Sequence, residues 1–174
     1  IGDLIFVSAE YGPGAGVWST PAVDEHRGLL YVGTGQSLAP KTGPLADSML
    51  AIDVRTGRPL WHYERTLPKE MSLCCGPQNR GFGALGDRLF MGTLDAHVVA
   101  LDAKTGRVRW DVASADADKG YSFTGAPLVV KNKVIVGVAG GEYGVRGFID
   151  AYDADTGQRA WRFYTIPGEG EKGV

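Results

Sequence analysis

Apolar residues along this chain come in short runs that are bounded by glycine, proline, asparagine or aspartate. Such runs occupy residues 28–33, 87–92 and 133–137, and residues 2–8 have a similar pattern. Each run predicts a β-strand, because strands are usually about 5–6 residues long and end where turn residues begin. No helical period of 3.6 residues connects the runs, so the sequence predicts an all-β fold.

The strongest regularity is a repeated motif, A-x-D-x-x-T-G-x-x-x-W. It occurs at residues 51–61, 100–110 and 151–161, with Trp61, Trp110 and Trp161 at its last position. The tryptophans are 49 and then 51 residues apart. The motif predicts a strand that ends at Asp, a Thr-Gly turn in which glycine supplies a positive φ, and a second strand that carries Trp. Each indole ring is expected to be buried, with a partner for its N–H group.

Each repeat, together with the strands before it, forms a unit of about four strands and about 50 residues, which is typical of a β-propeller blade. The units are approximately 1–66, 67–115 and 116–167. A propeller closes with about 4–8 blades. The sequence therefore predicts a partial ring: either a fragment of a larger propeller, which we favour, or an open array whose edges pair with further blades or another chain.

Composition supports this fold and excludes several kinds of partner. Glycine (26 residues) and proline (9) are abundant in a chain of 174, which favours many turns and disfavours a helical bundle. Lys and Arg number 18 against 20 Asp and Glu, so nucleic acid is not an expected partner. The apolar runs are far shorter than the roughly 18 residues of a membrane-spanning helix. The chain begins at Ile1 and is expected to be a mature form or a piece of a longer protein.

The repeated motif resembles the tryptophan-docking motif of quinoprotein alcohol dehydrogenases, and the resemblance is closest from residue 73 onward. The matching motifs are C-C-G-P-Q-N-R-G at 74–81, G-T-L-D at 92–95, T-G-A-P at 124–127, G-G-E-Y-G-V-R-G at 140–147 and R-F-Y-T-I-P-G at 162–168. The resemblance implies a bacterial periplasmic, eight-bladed propeller that holds pyrroloquinoline quinone (PQQ) and calcium or a lanthanide on its axis. It further implies oxidation of an alcohol, with electrons passed to a cytochrome c or quinone acceptor.

The adjacent cysteines Cys74 and Cys75 cannot join distant parts of a fold. The residues alone leave open a strained disulfide ring or two free thiols. A metal site is disfavoured because the histidines are scattered at 26, 62 and 97. The resemblance implies the disulfide ring, lying against one face of the quinone.

Four more residues match positions at which the family contacts its cofactor. The resemblance implies that Arg80 binds a cofactor carboxylate, for which a planar guanidinium is suited, and that Thr124 donates from its hydroxyl. An exposed turn arginine and a cross-strand threonine are the alternatives. Gly140 and Gly141 would let the backbone approach the cofactor closely. Ala139 stands where family members often have serine, which puts one polar contact in doubt.

Two residues match metal ligands of the family, and one matches an aromatic platform. Glu142 would supply a carboxylate to the metal, although a lone Glu beside glycines is also typical of a solvated loop. Residues 16–36 allow two alignments. One, which also resembles the polyvinyl-alcohol dehydrogenase branch, makes Trp18 the plane that stacks on the quinone and Gln36 a metal ligand; the other places Trp18 in a first blade.

Part of the family's chemistry is not identifiable in the sequence. The general base, an Asp in a W-x-D loop, and the Arg that polarises the quinone have no match, so the catalytic residues are unknown, and there is no C-x-x-C-H heme motif. The alternative function is a non-catalytic propeller scaffold for protein binding, similar to outer-membrane assembly lipoproteins, because a fold does not imply a function.

Overall fold

The computed structural model describes residues 16–17, 20–35, 45, 48–68, 71, 73 and 78–171. Three four-stranded antiparallel sheets follow one another along the chain, and neighbours in sequence are neighbours in each sheet. The first contains β1 (Ala22–Asp24), β2 (Leu29–Gly33), β3 (Ser48–Asp53) and β4 (Pro59–Glu64). The second contains β5 (Gly83–Leu85), β6 (Arg88–Gly92), β7 (His97–Asp102) and β8 (Val108–Ala113). The third contains β9 (Leu128–Val130), β10 (Lys133–Gly137), β11 (Phe148–Asp153) and β12 (Arg159–Tyr164).

The predicted all-β propeller fold is confirmed, and three of the predicted strands correspond to β2, β6 and β10. Two short 3₁₀ turns, at Ala117–Lys119 and Gly141–Tyr143, are the helical elements of the described residues. The strand predicted at residues 2–8 lies outside the described residues.

The blades pack face to face, because the middle strands of each sheet carry apolar side chains on both sides. Tyr31 and Met49 of the first blade pack with Leu89 and Leu101 of the second. A second core lies between the second and third blades and contains Phe90, Val98, Phe123, Val134, Phe148 and Tyr152. Almost all of these side chains are removed from water, so burial of apolar surface between blades is the main stabilising contribution to the array.

Antiparallel topology sorts the connections onto two opposite faces. The face that we call the docking face carries the β3–β4, β7–β8 and β11–β12 turns, at residues 54–58, 103–107 and 154–158. The loop face carries residues 78–82, 93–96, 114–127 and 138–147, which enter β5, join β6 to β7, join β8 to β9 and join β10 to β11. The docking face is therefore repetitive and short, whereas the loop face carries longer connections of unlike sequence.

The docking face joins each blade to the next through the motif tryptophan. Trp61 donates from Nε1 to the carbonyl of Ala103 at 3.2 Å, and Trp110 donates to the carbonyl of Ala154 at 3.1 Å. Each ring lies on the glycine of the following Thr-Gly turn: a Cβ added to Gly106 would lie 2.5 Å from the Trp61 ring. Glycine is thus required there both by its positive φ of 71° and by the ring.

The third motif tryptophan differs from the sequence prediction. Trp161 is 46% exposed, although it occupies the same position on β12 that Trp110 occupies on β8. The physical reason is that the Trp161 ring would pack against the docking turn of a following blade, and no such turn lies among the described residues.

Candidate functional site

The loop face brings together three segments that carry predicted site residues. These are the approach to β5 with Arg80, the approach to β9 with Thr124, and the β10–β11 connection with Gly140, Gly141 and Glu142. The inner strands β5 and β9 are in contact, and a Cβ on Gly83 would lie 2.5 Å from the Val129 side chain.

Backbone hydrogen bonds connect these segments to one another. The amide of Arg80 donates to the carbonyl of Thr124 at 3.0 Å. Two residues before Thr124, Ser122 forms an isolated bridge with Ala139, and the two residues exchange both backbone hydrogen bonds, at 2.8 and 3.3 Å. These bonds place Arg80, Thr124 and the glycine pair after Ala139 side by side on the loop face. We call this row of bonded segments the seam.

Arg80 presents a guanidinium without a carboxylate partner among the described residues. Its side chain is exposed and donates from Nη2 to the amide oxygen of Gln78 at 3.1 Å. Arg65, Arg146 and Arg162, which also approach the loop face, each form an ion pair with Asp or Glu. Arg80 is thus the arginine of this region of the described structure whose charge is available to an external anion.

The two glycines of the pair serve different purposes. Gly140 is buried at a φ of 119°, and a Cβ there would lie 2.2 Å from the carbonyl oxygen of Gly120. Packing within the fold therefore already requires glycine at this position. Gly141 is exposed, and a Cβ there would meet no atom within 4 Å. Of the two glycines, it is therefore Gly141 that leaves open space on the loop face.

Glu142 lies in the 3₁₀ turn Gly141–Tyr143, with its side chain exposed to solvent. It forms no hydrogen bond or ion pair with the described residues. The segment at Gly120 and Tyr121 supports this turn. Tyr143 packs against Gly120, and the Tyr121 hydroxyl accepts from the Arg146 amide at 3.2 Å. A rigid turn thus presents a carboxylate that no described group neutralises. Within the described ranges, no three His, Cys, Asp or Glu side chains cluster to hold a metal.

The remaining predicted site residues cannot be placed. Trp18, Gln36, Cys74 and Cys75 lie outside the described residues. The platform, the second metal ligand and the disulfide ring therefore stay predictions, as does the choice between the two alignments of residues 16–36. The Thr124 side chain is half-buried, and its hydroxyl has no hydrogen-bond partner within the described part of the chain.

Comparison with known proteins gives this arrangement a family. Residues 6–162 match the PQQ_2 family model, which is described as outer membrane protein assembly factor BamB. Over 156 residues the chain is 46% identical to quinohemoprotein alcohol dehydrogenase ADH IIB of Pseudomonas putida, covering 88% of this chain and 21% of that protein. The crystal structure of quinohemoprotein alcohol dehydrogenase from Comamonas testosteroni superimposes with a TM-score of 0.75 at 38% identity, covering 88% of this chain and 22% of that one.

The chain belongs to the quinoprotein alcohol dehydrogenase family. A europium-containing methanol dehydrogenase is a further structural relative, with a TM-score of 0.73 and 35% identity over 90% of this chain and 27% of that one. The family membership and the enzyme lineage inferred from the sequence are confirmed. The chain spans about one fifth of the length of the curated relatives it matches. No described helix is long and apolar enough to cross a membrane.

The described residues fit a polyanionic cofactor such as the family's PQQ. Among the described residues, the Arg80 guanidinium has no carboxylate partner, the Thr124 hydroxyl has no hydrogen-bond partner, and the space over Gly141 is open. Together they supply a cation, a donor and access for a ligand with several carboxylates. These groups lie on the loop face. A cleft between the first two blades, lined by Met49, Tyr63, Phe82 and Met91 among others, has a volume of about 60 Å³. This is well below the roughly 300–1,000 Å³ of typical ligand pockets.

Sequence reasoning missed a half-buried ion-pair network centred on Arg65, directly after β4. Nε and Nη2 of Arg65 donate to both oxygens of Asp95 at 2.7–2.9 Å, and Nη1 donates to Asp111 at 2.7 Å. Burial opposes the charge of Arg65, but these bonds outweigh burial and raise its pKa above the ordinary value. In Asp95 burial is likewise outweighed by Arg65 and Thr93, which lower its pKa. Asp95 falls within G-T-L-D at 92–95, which was the only sequence signal.

A second missed network joins β11 and β12 of the third blade to Ser114, which directly follows β8 of the second blade. Asp150 is fully buried on β11 and accepts two 2.7 Å bonds from Arg162 on β12. It also accepts from the hydroxyls of Ser114 and Tyr152, at 2.9 and 2.7 Å. Burial of its hydroxyl, with Asp150 nearby, raises the pKa of Tyr152 to about 12. Because Asp150 is fully buried and all of these bonds join protein groups, this network supports the packing of the second and third blades. The sequence feature that could have indicated this network is Asp150 itself, an aspartate within the otherwise apolar central part of β11.

Proposed function

We propose that this chain supplies part of the PQQ- and metal-binding surface of a bacterial, periplasmic alcohol dehydrogenase. The observation that carries the proposal is the Arg80 guanidinium, which lacks a carboxylate partner in the described structure and is fixed by its own amide against Thr124. Family membership supplies the identity of the ligand, since the relatives are named as quinoproteins that act on alcohols.

In this proposal, the cationic and neutral residues bind PQQ and the carboxylate binds the metal ion. Arg80 would bind a PQQ carboxylate with two parallel hydrogen bonds, which lysine cannot reproduce. The Thr124 hydroxyl would donate to a neighbouring cofactor oxygen, and Gly141 leaves the backbone accessible from the loop face. Glu142 would contribute a carboxylate to calcium or a lanthanide, ions that prefer several oxygen ligands. Cys74 and Cys75 would complete the surface as a disulfide ring, with Trp18 as the stacking plane and Gln36 as a metal ligand.

Bound PQQ supplies the two-electron acceptor that alcohol oxidation requires and that protein side chains lack. The described residues of this chain bind and orient; none of them is assigned as the base that takes the alcohol proton. In the proposed enzyme, the base would come from a region that this chain does not cover. The electron acceptor would be a cytochrome c or a quinone. The alcohol itself is not specified by any described residue.

The test is a titration of the chain with PQQ in the presence and absence of calcium, followed by fluorescence quenching. We expect calcium-dependent binding in the unaltered chain. Arg80→Lys should weaken binding about 10-fold or more, because an ammonium group cannot donate the two parallel hydrogen bonds of a planar guanidinium. Glu142→Ala should remove the calcium dependence and leave the metal-free affinity unchanged.

Arg107→Lys is the matched control, since Arg107 is exposed on the docking face and lies away from the proposed site. Its affinity should equal that of the unaltered chain. Unchanged affinity in Arg80→Lys would remove Arg80 from the site. An unaltered chain that binds no PQQ would instead favour the protein-binding scaffold, a reading to which the BamB description of the matching family model gives some support.

A further inference from the structure

The Arg65 network reaches across from the first blade to the second. Arg65 is only 15% exposed at its side chain, and Asp95 is 12% exposed. Three nitrogen–oxygen contacts below 3 Å fix the guanidinium plane against the Asp95 carboxylate, and a fourth ties it to Asp111 on β8. A guanidinium held on two sides in this way has little rotational freedom, so it fixes the position of Asp95.

Asp95 in turn fixes the β6–β7 turn through Thr93. The Thr93 hydroxyl donates to Asp95 Oδ1 at 2.6 Å and accepts from the His97 amide at 3.1 Å. The Thr93 backbone is bonded to both His97 and Ala96. Because Thr93 is 3% exposed, water does not compete for these bonds, and the turn has one arrangement.

The Thr93 carbonyl then connects the turn to the proposed binding seam. It accepts from the Phe123 amide at 3.0 Å, and the next residue, Thr124, accepts from the Arg80 amide at 3.0 Å. Phe123 packs tightly against Gly92 of β6, since a Cβ added to Gly92 would lie 2.5 Å from the Phe123 Cβ. This contact limits movement of Phe123 toward β6. Each step from Arg65 to Arg80 is thus a short hydrogen bond or a single peptide unit.

We infer that Arg65 is a positioning residue, which sets the relative placement of Arg80 and Thr124 from the neighbouring blade without touching a ligand. The inference rests on the proposed function for the identity of the ligand. The network itself is described without reference to a ligand, because all of its bonds join residues of this chain. It assigns to an arginine outside the resembled motifs a role in pre-organising the seam.

Amide hydrogen exchange of the cofactor-free chain, followed by NMR, tests the network directly. Arg65→Gln should accelerate exchange at the Phe123 and Arg80 amides about 10-fold or more, because their acceptors become mobile. The Gly106 amide, which donates to Asp102 on the docking face, should exchange at its original rate. Thr93→Val keeps the shape of the side chain but removes its hydroxyl, and it should produce the same pattern.

Arg109→Gln is the control, since Arg109 pairs with Asp87 and Asp102 on the docking face. It should leave the Phe123 and Arg80 amides unchanged. In the PQQ titration, Arg65→Gln should weaken binding about 10-fold, as is usual when a residue that orients a ligand contact is lost, and Arg109→Gln should not.

The outcomes separate the two proposals. Unchanged exchange at Phe123 and Arg80 in folded Arg65→Gln and Thr93→Val chains would overturn the inference. So would uniform acceleration across the whole chain, or loss of folding in both variants, since the network would then support the fold in general. If the unaltered chain binds no PQQ, the proposed function fails, while the exchange pattern still decides whether Arg65 positions the seam.

Discussion

The docking face and the loop face are built from the same blades but differ in what their residues are bonded to. On the docking face, Trp61 and Trp110 each fill a site on the following blade, and the motif aspartates accept from their own turns. On the loop face, Arg80, Thr124 and Glu142 have side chains with few or no partners among the described residues. The repeated docking turns therefore satisfy their own polar groups, whereas the non-repeated connections of the loop face leave these three side chains available to a ligand.

This contrast teaches that the two faces contribute to different free energies. Docking-face residues are expected to stabilise the folded array, because they bury surface and satisfy hydrogen bonds between blades. The loop-face residues Arg80, Thr124 and Glu142 are expected to contribute to ligand binding and little to stability. The predictions that follow compare residues at equivalent positions of the repeat.

The largest expected effect comes from the tryptophans. Trp110→Ala should lower the free energy of unfolding by about 3 kcal/mol or more, since a packed aromatic ring and its hydrogen bond are lost. Trp161→Ala should lower it by about 0.5 kcal/mol or less, as is typical of an exposed side chain. Urea unfolding of both variants measures the difference. Equal losses would show that the motif stabilises its own blade and not the junction to the next one.

The motif glycines give an intermediate effect that isolates the docking contact. Gly57 and Gly106 have nearly equal φ values of 69° and 71°, but only Gly106 lies under a tryptophan ring. Gly57→Ala should cost about 1 kcal/mol for the left-handed backbone. Gly106→Ala should cost about 1–3 kcal/mol more, because its Cβ would displace the Trp61 ring. Thermal and urea unfolding would contradict the comparison if both variants lost the same stability.

The smallest effect concerns the acid limb of the stability profile. The Arg109 guanidinium, aided by Thr105, lowers the pKa of Asp102 to about 2 against its partial burial. Since the folded pKa lies below the ordinary 3.8, this stabilisation is complete above pH 4 and is lost as the pH falls toward 2. Asp102→Asn should therefore cost about 1 kcal/mol at pH 7, after allowance for screening, and nothing near pH 2.

Glu142→Gln on the loop face is the control for that profile. Because Glu142 has no described partner, its substitution should change stability by no more than about 0.5 kcal/mol at any pH between 2 and 7. A pH-dependent loss in Glu142→Gln that matched the loss in Asp102→Asn would contradict the division between the two faces.

Most of the fold could be predicted because its rules are local and repeated. The strand at 87–92, the Asp-to-Thr-Gly turn and the Trp strand each depend on a few neighbouring residues, and three copies make the pattern clear. The exposure of Trp161 could not be predicted, since the motif is identical whether or not a following blade is present. Burial at that position depends on another segment of the structure.

The candidate site could be predicted less completely. Arg80, Thr124 and Glu142 were found through resemblance to a family, and their roles stay predictions. Arg65 and Asp95 escaped because they are 30 residues apart in different blades, and no motif spacing connects them. The same holds for Asp150 and Ser114, which lie 36 residues apart and meet only where two blades pack.

The sequence by itself determined the strands, the docking turns and the repeated blade, because backbone preferences and short apolar runs act over a few residues. Only the tertiary structure decided which charges are paired and which remain available. Arg65 and Arg80 are the same residue type, 15 positions apart. Asp95 from the neighbouring blade neutralises Arg65, whereas Gln78 is the partner of the Arg80 side chain among the described residues. Electrostatic pairing depends on distance in space, which the packing of whole blades sets.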